Sequence, residues 1–167
     1  MSKSHVKHFR VLAIAPSTRG FGFAVLEGQE TLVDWGVKSV QGSKNAGCLK
    51  KVGEIITHYQ PTVLVLQDVS SKGSRRSPRI RTLSRQLIRM ASRRKVSVKL
   101  LSKEKVKEIF FGEGPGTKYA LAEIIAKRFP AELGFRLPPK RRPWMSEDSR
   151  MDIFDAVALA FTQTDLA

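Results

Sequence analysis

The stretch VLAIAPSTRGFGFAVLE, residues 11–27, decides how this chain folds. The short aliphatic run from Phe9 to Ala15 predicts a buried strand. Pro16-Ser17-Thr18-Arg19-Gly20 then supplies turn residues. Gly20–Glu27 returns as a second strand, with Phe21, Phe23 and Val25 on one side. The glycines at 20 and 22 allow a tight turn and a close backbone approach. The first strand therefore ends at Ala15, an exposed tip well placed to carry a functional group. Alanine offers none.

Working outward, ETLVDWGVKSV (30–40) predicts a third strand, reached through a Gly28-Gln29 turn. Three strands with short connections make an antiparallel meander. The period then changes: Leu49, Val52, Ile55 and Ile56 recur at helical spacing between Lys44 and Tyr59, and Pro61 closes that helix. TVLVLQDV (62–69) is a continuous apolar run, hence a central strand parallel to the first. A basic loop leads to a helix from Pro78 to Arg94, with proline tolerated at its first position. Val96–Leu101 adds a fifth strand, and Ser102 has the chemistry of an N-cap for KEKVKEIF. GEGPG separates this helix from one around Tyr119–Phe129. Residues 134–150 predict an irregular loop, and a last helix runs from Arg150 to Gln163. The expected fold class is α/β: a mixed five-stranded sheet, three antiparallel strands followed by parallel ones, flanked by helices. At 167 residues the chain has the length for one domain, residues 1–167, with a full core.

The charge balance is lopsided, with 30 Lys and Arg against 15 Asp and Glu and a formal net charge of +15. A field of that sign suits a polyanion, above all nucleic acid. Cys48 is the only cysteine, which excludes an intrachain disulfide and any cysteine-cluster zinc site, and fits a reducing compartment. No run approaches the roughly 18–20 apolar residues of a membrane span, and MSKSHVKHFR lacks the apolar centre of a secretion signal. The expected location is the cytoplasm.

Three groups of residues have chemical promise. Asp152 and Asp155 stand three apart at the start of the last helix, so both carboxylates project from one face. The helix dipole alone favours acids there, so the pair is weak by itself. The strand VLVLQD ends in Gln67 and Asp68, at the carboxyl end where ligands gather in such sheets. The third group is basic. Arg81, Arg85, Arg89 and Arg93 recur every four residues beside an inward stripe of Ile80, Leu83 and Leu87. Lys72, Arg75, Arg76 and Arg79 extend the positive region, and no acid occurs between Val69 and Lys103. Arginine donates to phosphate in bidentate fashion, so this tract is expected to hold a nucleic-acid backbone. Arg19 in the first turn, and Arg141, Arg142 and Trp144 in the long loop, are further candidates. A basic residue beside an exposed aromatic can hold a phosphate and stack a base, unless Trp144 plugs the core instead.

Taken together these residues resemble a known family. The order of elements is similar to the RNase H-like fold, and the opening hairpin resembles that of RuvC-type Holliday junction resolvases. That family's first strand reads like Ile-x-Asp-Pro-Gly-Ser/Thr-Arg, followed by Gly and a second strand. This chain matches at Pro16, Thr18, Arg19 and Gly22. It departs at Ala15, where the family has its first aspartate. The family's glutamate at the fourth-strand tip falls on Gln67, and its closing D-x-x-D-A falls on Asp152 and Asp155.

The resemblance implies a homodimeric, metal-dependent DNA endonuclease acting on four-way junctions or other branched DNA. It implies a catalytic set of four carboxylates holding two Mg²⁺ ions, with Mn²⁺ as substitute, astride the scissile phosphate. Of those positions Asp152 and Asp155 keep metal-ligating acids, while Ala15 and Gln67 lack them. Losing one well-placed electrostatic stabiliser typically costs about 100–1,000-fold in rate, so the chain as written is expected not to cut. Asp→Ala and Glu→Gln are changes made deliberately to silence a metal nuclease, and that origin is expected ahead of a naturally inactive relative. The alternatives are a nuclease-dead nucleic-acid-binding protein and a nuclease of the same fold acting on RNA or hybrids. Phe110 and Phe111 are candidates for a dimer surface if exposed.

Overall fold

The computed structural model describes residues 9–70 and 76–166. Strands Arg10–Pro16 (β1), Gly20–Glu27 (β2) and Thr31–Ser39 (β3) form the expected antiparallel meander. Val63–Gln67 (β4) and Ser97–Leu101 (β5) join it in parallel, giving one five-stranded sheet in the order β3-β2-β1-β4-β5. Ser17 N–H donates to Gly20 O at 2.9 Å and closes the first hairpin. Gly28, at φ +61°, adopts the left-handed conformation that the β2–β3 turn needs.

Strand alternation gives the sheet two apolar faces. Leu12, Ile14, Phe21, Phe23, Val25, Leu64 and Leu66 point to helices Lys44–Tyr59 (α1) and Pro78–Arg93 (α2), meeting Val52, Ile56, Leu83 and Leu87. Val11, Ala13, Ala15, Ala24, Val63 and Val65 point the other way, onto the terminal helix Met151–Leu166 (α6). Phe154, 2% exposed, is the largest side chain that α6 buries there. Helices Lys103–Phe111 (α3) and Lys118–Arg128 (α4) pack beside α6 on the same side.

The helix starts follow from the capping chemistry. The side chains of Ser77, Ser102 and Thr117 accept from Ile80, Lys105 and Ala120 N–H, at the starts of α2, α3 and α4. A four-residue helix, Pro130–Leu133 (α5), is an addition to the sequence reading, because so short a turn has no periodicity to reveal it. The terminal helix also runs on to Leu166, past the expected Gln163. No helix among the described residues is long and apolar enough to cross a membrane.

Candidate active site at the strand tips

The two central strands bring the predicted tips together. β1 and β4 pair in parallel with Ala13 opposite Val65; carried on two residues, that register sets Ala15 beside Gln67. Both positions belong, by alternation, to the face that α6 covers. Ala15 also pairs with Gly22 across β1 and β2. A Cβ built on Gly22 would lie 2.3 Å from the Asp152 carbonyl oxygen. Only a glycine lets the first turn of α6 settle on the hairpin at this point. The sequence expectation of an exposed tip is therefore corrected: Ala15 is 6% exposed, because α6 begins directly over it.

Burial pushes the Asp152 carboxyl up to about 6. The Lys118 charge opposes this, while Asp155 and Glu147 reinforce it. Asp155 is likewise raised by burial, with Lys118 pulling the other way. Lys118 stands at the first position of α4, and its ammonium lies 3.0 Å from Asp155 Oδ2 while also pairing with Glu147. Burial works to lower the Lys118 ammonium, yet Asp155 and Glu147 together hold it above its ordinary value. Neither Lys118 nor Glu147 was singled out from the sequence. Nothing local marks them, since Lys118 meets Asp155 and Glu147 only when α4 packs on α6 and the loop before it.

The loop entering α6 is organised by a fork. Arg150 donates Nε to Asp148 Oδ1 at 3.0 Å and its terminal nitrogen to Oδ2 at 2.8 Å, which holds the Asp148 carboxyl down at about 2. The backbone N–H groups of Met151, Asp152 and Ile153 donate to Asp148, Ser149 and Arg150 carbonyls, aiming Asp152 at the hairpin.

Gln67 faces a guanidinium. Arg76 donates to Gln67 Oε1 at 3.1 Å and to the Pro16 carbonyl at 3.4 Å. Arg79 braces the same turn, donating to Ser17 O at 2.9 Å and to Asn45 Oδ1 at 3.1 Å. Asp68, next along, is engaged elsewhere: its Oδ1 accepts from Ser70 N and Oγ at 2.9 and 2.6 Å, which lowers its carboxyl.

The remaining basic candidates surround this end or lead away from it. Arg19 is exposed in the hairpin turn. Arg81, Arg85 and Arg89 are exposed on α2, whose first residues adjoin the pocket through Arg79, and Arg85 also donates to Thr82 Oγ1 at 3.2 Å. Arg141 and Arg142 are exposed in the irregular loop. Trp144 does not plug the core: it is 76% exposed, with the Arg142 guanidinium 5.6 Å from its ring. Lys72 and Arg75 lie outside the described residues. Phe110 packs its ring 5.4 Å from Phe161 against the core, and Phe111 is partly buried beside Gly116, so neither supplies the exposed apolar surface expected of a dimer contact.

The donor set does not fit two divalent ions. Ala15 presents a methyl group, the Gln67 amide oxygen accepts from Arg76, and Asp155 is paired with Lys118. Among the described residues no group of three or more acids, histidines or cysteines could hold a metal ion. Mg²⁺ demands several hard anionic oxygens, and these residues do not supply them.

The sheet order and the helices on both faces match the RNase H-like fold in its RuvC-type arrangement. Three solved structures are similar over most of the chain. One is Thermus thermophilus RuvC, at 16% identity and TM-score 0.68, covering 92% of both chains. T. thermophilus RuvC in complex with a Holliday junction substrate matches at 19% identity and TM-score 0.62, covering 93% of this chain and 92% of that one. The yeast mitochondrial Holliday junction resolvase matches at 14% identity and TM-score 0.62, covering 94% of this chain and 78% of that one. No family model and no curated protein matches the sequence.

Proposed function

We propose that this chain is a resolvase-type protein of the branched-DNA endonuclease class, which binds four-way junctions and, with Ala15 and Gln67 at the strand tips, does not cleave them. The observation that carries this reading is that Ala15, Gln67 and Asp152 converge at one end of the sheet, with Asp155 near enough to Asp152 and Arg76 for their charges to interact. The net charge of +15 and the exposed arginines of α2 supply the attraction to a polyanion. The likeness in fold to a RuvC bound to a Holliday junction supports DNA of that form as the ligand. Divalent-metal chemistry belongs to a form with all four acids and is not assigned to the present residues. A pair of chains would present two such faces to the two strands of a junction, which is the basis for proposing a homodimer.

In this account Arg76, Arg79 and the α2 row contact the phosphate backbone, Arg19 contacts it at the hairpin turn, and Arg142 with Trp144 meets a nucleotide at the rim. Consecutive members of the α2 row are about 6 Å apart along the helix axis. Each phosphate contact removed is expected to reduce the log–log salt slope of binding by about 0.9. Changing Arg81, Arg85 and Arg89 together to Ala should therefore weaken junction binding and flatten its salt dependence. Competition of a labelled four-way junction against a linear duplex and an RNA–DNA hybrid of equal length tests the ligand class. Preference for the junction is the expected result. Equal displacement by all three competitors would remove branch selectivity, and an unchanged salt slope would remove the α2 row from the interface.

A further inference from the structure

We propose that Arg76 and Arg79 form a phosphate seat at the strand tips, one that engages the DNA backbone without a divalent metal and depends on Gln67 leaving the Arg76 charge available. The inference rests on the junction-binding reading above and goes further, naming how this pocket meets its ligand.

Among the described residues, the hydrogen bonds that position these two guanidinium groups go to uncharged acceptors. Arg76 is held by the Gln67 amide oxygen and the Pro16 carbonyl, and Arg79 by the Ser17 carbonyl and the Asn45 amide oxygen. Among the described residues neither has an ion-pair contact with a carboxylate. The field of Arg76 reaches Asp155, but the direct partner of Asp155 is Lys118. Both guanidiniums are thus fixed in place with their charge uncompensated by contact. A guanidinium has five N–H donors, and among the described residues two on each are engaged, which leaves donors to offer to an incoming anion. The fixed, planar array suits phosphate oxygens.

The identity of residue 67 decides whether this seat exists. A glutamate there would accept the same Arg76 hydrogen bond as a charge-assisted pair and compensate the guanidinium. The amide keeps the orientation and not the charge. Ala15 removes a further potential carboxylate from the same end of the sheet, which lowers the repulsion an approaching phosphate would meet. A metal-dependent pocket uses acids to hold cations, and the cations then face the phosphate. Here the cations belong to the chain.

Fluorescence anisotropy of a labelled four-way junction, titrated with the full chain in EDTA and again in Mg²⁺, tests the proposal. Binding in EDTA should be as tight as in Mg²⁺ at matched ionic strength. Arg76→Gln and Arg79→Gln should each weaken it about tenfold, the scale of losing a charge-assisted hydrogen bond. Gln67→Glu should weaken metal-free binding by a similar factor, and most of that effect should vanish in an Arg76→Gln background. Because Arg79 also braces the hairpin turn, Arg79→Lys, which keeps the charge and loses the fork, provides a second variant, with circular dichroism as the check on folding. Binding that requires Mg²⁺ overturns the seat while leaving junction binding intact. So does a Gln67→Glu effect of equal size with and without Arg76. Absence of binding to any DNA in either buffer overturns both the seat and the reading beneath it.

Discussion

The two ends of β1 are finished in opposite ways. At the first residue, Arg10 donates to Glu27 Oε2 at 3.1 Å and to the Tyr59 carbonyl at 3.0 Å, and Tyr59 O–H donates to Asp34 at 2.5 Å. Charge there meets charge, and four elements, β1, β2, β3 and α1, are tied together. At the last residues, among the described residues, Arg76 and Arg79 donate to neutral oxygens of Pro16, Ser17, Gln67 and Asn45. The first arrangement is complete within the protein. The second leaves positive charge at the surface of a pocket, which is what an interface for an anion requires. A chain that needed both ends only for stability would have no reason to leave one unbalanced.

Substitutions at each end should separate in what they damage. The largest expected effect lies between them, on the helix that both depend on. Phe154→Ala should lower unfolding stability by about 3–5 kcal/mol in chemical denaturation, because it empties a fully packed site beneath α6. A shift of only a few tenths would mean that α6 is not the clamp over the strand tips. Next in size, Arg76→Met should reduce junction affinity with little change in the unfolding midpoint. Arg10→Met should do the reverse, costing about 1 kcal/mol of stability for a half-exposed ion pair and leaving affinity unchanged. If both substitutions moved both quantities equally, the contrast between the ends would collapse.

The smallest effect is a titration. Burial first, and then the hydrogen bond and charge of Asp34, push the Tyr59 phenol up to about 12. A group raised on folding contributes its full stabilisation below its unfolded value, near 10, and loses it as pH climbs through about 12. Absorbance of phenolate against pH should show a tyrosine ionising near 12 that is missing in Tyr59→Phe. A phenol lost in Tyr59→Phe that ionises near 10 in the parent would break the Asp34 contact.

Much of this architecture was legible in residues 11–27 and in the caps. Alternation in the hairpin, the Pro78 start of α2 and the Ser102 cap each act within a few residues, so local sequence contains them. Asp152 and Asp155 were also legible, because helical spacing fixes their shared face. What spacing could not supply was the closure of the pocket. Lys118 meets Asp155 and Glu147, and Arg76 meets Gln67, only after separate elements have packed. The exposed tip expected at Ala15 failed for the same reason: Gly22 admits α6, and α6 covers the alanine. The role of Gly22 was half visible, as a residue suited to close approach, but nothing nearby in the sequence named the backbone that approaches it.

The most direct measurement restores what the strand tips lack. Ala15→Asp combined with Gln67→Glu should be incubated with a labelled four-way junction and Mn²⁺ or Mg²⁺, beside the unchanged chain. The doubly substituted protein should make paired cuts in the junction and the parent none. A folded, junction-binding double variant that leaves the DNA whole, or a parent that cuts it, would contradict the claim that these two positions are the missing half of a nuclease site.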